Sequence, residues 1–235
     1  MFKLPFGKDG LFDCSSPETG IYVLNFSSGS QNQVTTSFLE AFLDALDKVE
    51  RENKTGVLVF TSSNPKFFSN GFDLDHVGSH PKIMEEAMFP LLERLLTFPL
   101  PTIALINGHA YGAGVFIAMA SDYRIQNSSR GFLCLPEVDM GLRIPPPIAM
   151  MIQHKMSGSQ AYRTAVLEGK RMKGEETLKL GIVDALGGRP ECIALINERN
   201  LVSKSESGVY GVLKEDAHKN ILAGFKAGLQ HKPRM

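Results

Sequence analysis

Tryptophan is absent from this 235-residue sequence, and cysteine is scarce. Only Cys14, Cys134 and Cys192 occur, an odd number with no CxxC pair. That excludes a disulfide framework and a cysteine zinc module, and it fits a reducing compartment. An excess of one charge is also missing, because 25 Lys+Arg balance 25 Asp+Glu. Nucleic-acid-binding proteins usually carry a basic excess, so no nucleic-acid partner is expected. No apolar run reaches the ~18 residues of a membrane span. Met1 to Gly10 is a short mixed stretch that reads as neither a secretory signal nor an Arg-rich transit peptide. The six histidines show no HExxH or paired spacing, so no metal site is expected.

What is present is ordinary for a globular chain: 43% hydrophobic and 21% charged residues. This composition excludes wholesale disorder, and the length allows one large domain with or without an appendage. Ile21–Phe26 is β-branched and aromatic, and it reads as a strand. Phe38, Phe42, Ala45, Leu46 and Val49 then recur at helical spacing. Ser37 with Glu40, or Thr35 or Thr36 one turn earlier, supplies the cap, and Gly56 ends the segment. Val57–Thr61 is an unbroken apolar run, as in a strand covered on both faces.

The rhythm continues with a helix over 82–98, kinked at Pro90, and a strand over Thr102–Ile106. Short strands follow at Asp122–Ile125 and Phe132–Leu135. Alternating strand and helix predicts an α/β domain. From about residue 157 the pattern is mostly helical, and the Gly187-Gly188-Arg189-Pro190 break sets off a helical tail.

Three segments carry candidate chemistry. Phe67–Leu74 follows a strand, and its Asn70-Gly71 pair favours a tight turn that can aim the Phe72 N–H into a cleft. Taken alone it also reads as an ordinary connecting loop. Asn107–Phe116 leads from a buried strand through small residues into a helix, whose free N–H groups suit a developing negative charge. Its glycines match neither G-x-G-x-x-G nor a P-loop, and close helix–strand packing is the alternative. In Gly131–Leu142, Glu137 sits among apolar neighbours after Pro136, where desolvation would raise its pKa for proton transfer. A surface glutamate at a turn is the other reading, and Asp139 is a weaker candidate of the same kind.

In this order and spacing the three segments resemble the crotonase superfamily, the enoyl-CoA hydratase/isomerase family. The resemblance runs from Ile21 to about Leu186 and includes Gly169–Asp184, similar to the family's helix followed by Gly-Ile-Val-Asp. It implies an α/β fold, a crotonase-like spiral of ββα units with a C-terminal helical region. Residues 1–188 would form the core with the coenzyme A site and oxyanion hole. Residues 189–235 would form a helical oligomerisation region and a targeting tail.

Carried over by position, Phe72 and Ala113 would donate the two oxyanion-hole N–H groups. Lys66, Ser69, Asn70, Gly71, Asp73, Leu74, Gly112 and Phe116 would line the substrate and coenzyme A site, with Lys66 on a phosphate. Glu137 matches the later of the two glutamates of the family's hydratases, while Phe116 stands where the earlier one falls. A single carboxylate beside an apolar wall resembles the Δ3,Δ2-enoyl-CoA isomerases, in their monofunctional peroxisomal-type branch. The implied activity moves the double bond of 3-enoyl-CoA to 2-trans-enoyl-CoA in fatty-acid β-oxidation, with no cofactor beyond the coenzyme A of the substrate. Hydration, thioester hydrolysis or silent acyl-CoA binding are the alternatives on the same fold.

Two further expectations concern partners. The apolar residues Ile193, Ile196, Leu201, Val209, Val212 and Leu213 of the tail call for a packing surface, and a homotrimer or hexamer would supply one. Pro233-Arg234-Met235 resembles the Ser-Lys-Leu address read by a peroxisomal import receptor, which implies a peroxisomal location, with the cytoplasm as the alternative.

Overall fold

The computed structural model describes residues 1–227. Pro233-Arg234-Met235 therefore lies outside the described residues. Strands β1 (Phe2–Phe6) and β2 (Gly10–Glu18) form an antiparallel hairpin, and β3 (Ile21–Ser27) pairs with β2. In this hairpin Phe2, Leu4 and Phe6 alternate with Lys3 and Pro5, and Phe12 and Cys14 flank Asp13, a short period-two pattern outside the strands expected from the sequence. Helix α1 (Thr36–Glu52) follows, capped by the Thr35 hydroxyl, which accepts from the Phe38 N–H. It ends at the Asn53 cap rather than at Gly56.

Next come β4 (Val57–Ser62), β5 (Phe67–Ser69), the short α2 (Leu74–Ser79), a π turn over Met84–Met88, and α3 (Phe89–Leu96). The helix expected over 82–98 is present, with its irregularity as a π turn just before Pro90. The helical backbone runs unbroken from that π turn through Met88 and Phe89 into α3, where Pro90 has no N–H to donate. Then follow β6 (Thr102–Ile106), β7 (His109–Tyr111), α4 (Ala113–Met119), β8 (Tyr123–Gln126) and β9 (Leu133–Cys134), the last shorter than its apolar run predicted. The remainder comprises α5 (Pro146–Lys155), α6 (Ser159–Tyr162), a second π turn over Arg163–Leu167, α7 (Gly174–Lys179) and β10 (Ala185–Leu186). Helices α8 (Arg189–Glu198), α9 (Leu201–Ser205) and α10 (Tyr210–Ala227) complete it.

The strands form two sheets. The larger has the order β1-β2-β3-β4-β6-β8-β10, parallel from β3 onward. The smaller is β5-β7-β9, all parallel. Each repeating unit therefore sends its first strand to the large sheet and its second to the small one.

One face of the large sheet packs on α1, where Phe12, Phe26, Phe38, Phe42, Phe60 and Phe68 form a connected aromatic core. Burying each such ring contributes roughly 1.5–3 kcal/mol. The Phe26–Phe68 edge contact, with centroids 5.2 Å apart, ties strand β5 of the small sheet to the large one.

The other face of the large sheet is covered by the C-terminal segment. Cys192, Leu195, Ile196 and Leu201 pack on Ile21, Val23, Val57, Val59, Ile103 and Leu105. The tail is thus no separate appendage through α9, because its apolar residues find partners on this chain's own sheet. Helix α10 lies along α5 and α3, and the buried Lys214 ammonium is bonded to Asp122 Oδ2 at 2.9 Å. Val209, Val212 and Leu213 stay exposed. Among the described residues no helix is long and apolar enough to cross a membrane.

Candidate active site

The small sheet brings the three candidate segments together. Its strands are parallel, with Phe67 opposite His109 and Tyr111 opposite Cys134, and the β5–β7 pairing shifts register between Phe67 and Ser69. Their carboxyl ends share one edge, which is where ligands gather in parallel sheets. Phe72 lies three residues beyond β5, Ala113 two beyond β7, and Glu137 three beyond β9.

Gly71 and Gly112 make the close approach possible. Gly71 has φ +83°, and a β-carbon there would lie 2.9 Å from Tyr111 O and 3.6 Å from Ala113 N. Gly112 has φ +46° and ψ −114°. Both conformations are open to glycine and costly for other residues. The loop after β5 can therefore touch the first turn of α4.

The two backbone donors are unpaired for different reasons. Val34 bonds to both neighbours of Phe72: its N–H donates to Gly71 O at 2.8 Å, and its carbonyl accepts from Asp73 N at 3.1 Å. Extended backbone alternates its polar groups, so the Phe72 N–H faces the opposite edge, without an acceptor among the described residues. Ala113 opens α4, so its N–H has no acceptor within the helix.

Glu137 sits beside them. A β-carbon on Gly112 would lie 3.2 Å from Glu137 Oε1. The other carboxyl oxygen, Oε2, is buried with no hydrogen-bond partner among the described residues. Burial pushes the Glu137 pKa above the ordinary carboxylate value, against a smaller opposing pull from its own backbone N–H. Its main-chain carbonyl accepts from Leu142 N at 2.8 Å, which closes the turn that carries it. Asp139 is exposed and lines the cleft that opens here, whereas Glu137 is half-buried and, like Ala113, is not among the residues lining it.

A cleft of about 760 Å³ opens along this edge. Lys66, Asn70, Phe72, Asp73 and Leu74 line it. The Asp73 carboxylate also accepts from His76 N and caps α2. Two expected lining residues lie elsewhere. Ser69 is 1% exposed, and its hydroxyl is turned inward onto Asn32 O, 2.7 Å away, so it does not reach the cleft. Phe116 is 2% exposed and belongs to the aromatic and aliphatic core behind α4. Gly71 and Gly112 do not line it either; their part is the close approach of the two loops.

Sequence reasoning missed other cleft residues, chiefly His109, Tyr111 and Arg171. His109 stacks on Tyr111 and Phe132, with centroids 5.7 and 5.4 Å away. Burial, reinforced by Lys66 and Arg171, lowers its pKa. The Lys170–Lys173 stretch, basic at three of four positions, was the signal for Arg171.

This combination of fold and edge is shared with known proteins. Residues 17–204 match the model of the enoyl-CoA hydratase/isomerase family, and the chain belongs to that family. Among its relatives is the Arabidopsis thaliana protein named enoyl-CoA delta isomerase 2, peroxisomal, 34% identical over 73% of this chain and 76% of its own. Enoyl-CoA delta isomerase 3 of the same plant is 30% identical over 88% of this chain and 93% of its own. An apo structure described as an enoyl-CoA isomerase of Mycobacterium tuberculosis superposes with a TM-score of 0.80. It is 26% identical, covering 93% of this chain and 95% of that one.

Proposed function

We propose that the protein is an enoyl-CoA isomerase, converting cis or trans 3-enoyl-CoA to 2-trans-enoyl-CoA. The observation that carries this reading is the meeting of one partly buried, unpaired carboxyl group with two unpaired backbone N–H groups at one sheet edge. The thioester carbonyl binds between the N–H groups of Phe72 and Ala113. Ionised Glu137 removes a proton from C2. The C2 electron pair joins the C3–C4 double bond in a dienolate whose charge rests on the thioester oxygen. Each N–H contributes about 3 kcal/mol to holding that charge. Glu137 then returns its proton to C4, leaving the double bond between C2 and C3.

One carboxylate suffices for this sequence, because the same group takes and gives the proton. Hydration would require a second polar group to hold water, and the candidate position carries Phe116, buried in the core. No cofactor enters the scheme. The cleft residues Lys66 and Arg171 supply positive charge for the coenzyme A phosphates.

The relatives' names support the isomerase reading, and one of them also supports a peroxisomal location. A homotrimer or hexamer is supported by exposed Val209, just before α10, and Val212 and Leu213 on it, and light scattering measures it. The deciding experiment compares two rates on the purified protein: isomerisation of 3-hexenoyl-CoA and hydration of 2-hexenoyl-CoA. Isomerisation is expected to be at least tenfold faster, about 1.4 kcal/mol in barrier height. Equal rates would overturn the assignment.

A further inference from the structure

Asn32 is fully buried and has φ +49°, one of two non-glycine residues with positive φ among those described. Asparagine tolerates this region, but holding it there inside a core needs a reason. The reason lies in what the residue joins. Its Oδ1 accepts from Ser28 N at 2.8 Å, which closes its own turn. Its Nδ2 donates to Ser62 Oγ at the end of β4, to Phe68 O at 3.1 Å and, more weakly, to Phe67 O at 3.3 Å. Its main-chain carbonyl accepts from the Ser69 hydroxyl at 2.7 Å.

Ser69 passes the constraint on. Its Oγ accepts from Gly71 N at 3.2 Å, so the hydroxyl is used as both donor and acceptor. On its other side, a β-carbon on Gly114 would meet Ser69 Cβ at 2.7 Å and Ser69 O at 3.0 Å. Ser69 thus wedges between the turn that presents Phe72 and the helical turn that presents Ala113. Flanking bonds run in the same register: Asn70 N donates to Gln31 O, and Val34 N to Gly71 O.

We propose that Asn32 and Ser69 are positioning residues that set the separation and aim of the Phe72 and Ala113 N–H groups. The proposal rests on the reading of those groups as an oxyanion hole. Neither side chain touches the ligand, because both are sealed in the core. Their effect is expected in the turnover step, since charge on the thioester oxygen grows between ground state and transition state. Displacing a donor by a fraction of an ångström weakens a bond that matters most in the transition state.

The test uses Ser69→Ala, which keeps the β-carbon packed on Gly114 and removes only the hydroxyl. Asn32→Gly is the second variant, because glycine accepts the positive φ while the amide is lost. The expected result is a kcat for 3-hexenoyl-CoA lowered by about tenfold to a hundredfold with KM within twofold. A second readout needs no turnover: the infrared carbonyl band of bound hexanoyl-CoA, labelled with carbon-13 at the thioester carbon. In the parent protein the band lies below that of the free thioester, and in Ser69→Ala it moves back toward it.

An unchanged kcat and an unchanged band would overturn the proposal. A raised KM with unchanged kcat would overturn it too, by making Ser69 a ligand contact. Loss of cooperative melting in Ser69→Ala would mark the hydroxyl as a folding determinant and count equally against the proposal. If the parent protein fails to isomerise but its bound carbonyl band is lowered and responds to Ser69→Ala, the isomerase reading falls and the positioning pair stands.

Discussion

Oε1 of Glu137 lies 3.2 Å from the point where a β-carbon on Gly112 would stand, so a side chain there would push the carboxyl aside by a few tenths of an ångström. Gly112 also holds φ +46°, which an alanine adopts at a cost of roughly 1–3 kcal/mol. Gly112→Ala is therefore expected to displace the carboxyl and strain the turn at once. The isomerase kcat should fall at least tenfold, and the denaturant midpoint should drop. A variant with normal turnover would show that Glu137 does not need this approach.

Glu137→Gln preserves shape and removes the base. Its kcat should fall by about 10²–10⁴-fold, while affinity for a saturated acyl-CoA, measured by calorimetry, stays nearly constant. The parent enzyme must ionise Glu137 to act. Because burial raises its pKa, the acid limb of the kcat/KM profile should lie above the ordinary carboxylate value of 4.5.

The same shift has a consequence for stability. A carboxyl whose pKa is raised by folding contributes stability at low pH that is lost as pH rises through the raised value. Glu137→Gln should therefore melt higher than the parent at neutral pH, with the difference closing as the solution is acidified.

His218 on α10 should act with the opposite sign. Burial, aided by the charges of Lys155 and His154 on α5, lowers its pKa from 6.5 to about 4. Its Nδ1 lies 3.2 Å from Leu96 O, at the end of α3. The unfolded chain takes up a proton first, so stability should be lost as pH falls from about 6.5 to about 4. His218→Gln should flatten that slope in urea titrations across this range.

Lys214 holds the same helix through Asp122, whose Oδ2 also accepts from Thr102 N and Oγ1. Removing one partner of a buried pair typically costs about 3 kcal/mol or more. Lys214→Ala should lower stability by about that amount, and hydrogen exchange should show α10 opening first. A change below about 1 kcal/mol would mean that Asp122 is satisfied by Thr102 alone.

The sequence by itself determined the elements whose burial is periodic. Thr102–Ile106 is a strand between the expected residues, and α1 buries Phe38, Phe42, Ala45, Leu46 and Val49 as their spacing predicts. It also marked the segments of Phe72, Ala113 and Glu137, because positive-φ glycines and a carboxylate among apolar residues are local signals. What lay beyond it depends on pairing between distant residues. Strands β5, β7 and β9 are two or three residues long, too short to carry a period, yet their register puts the three segments on one edge. Ser69 turns inward because Asn32, far away in the chain, offers its carbonyl, and nothing near Ser69 announces that. The tail of the chain reads as helix from its own residues, but only the apolar outer face of the large sheet decided that α8 and α9 pack on it.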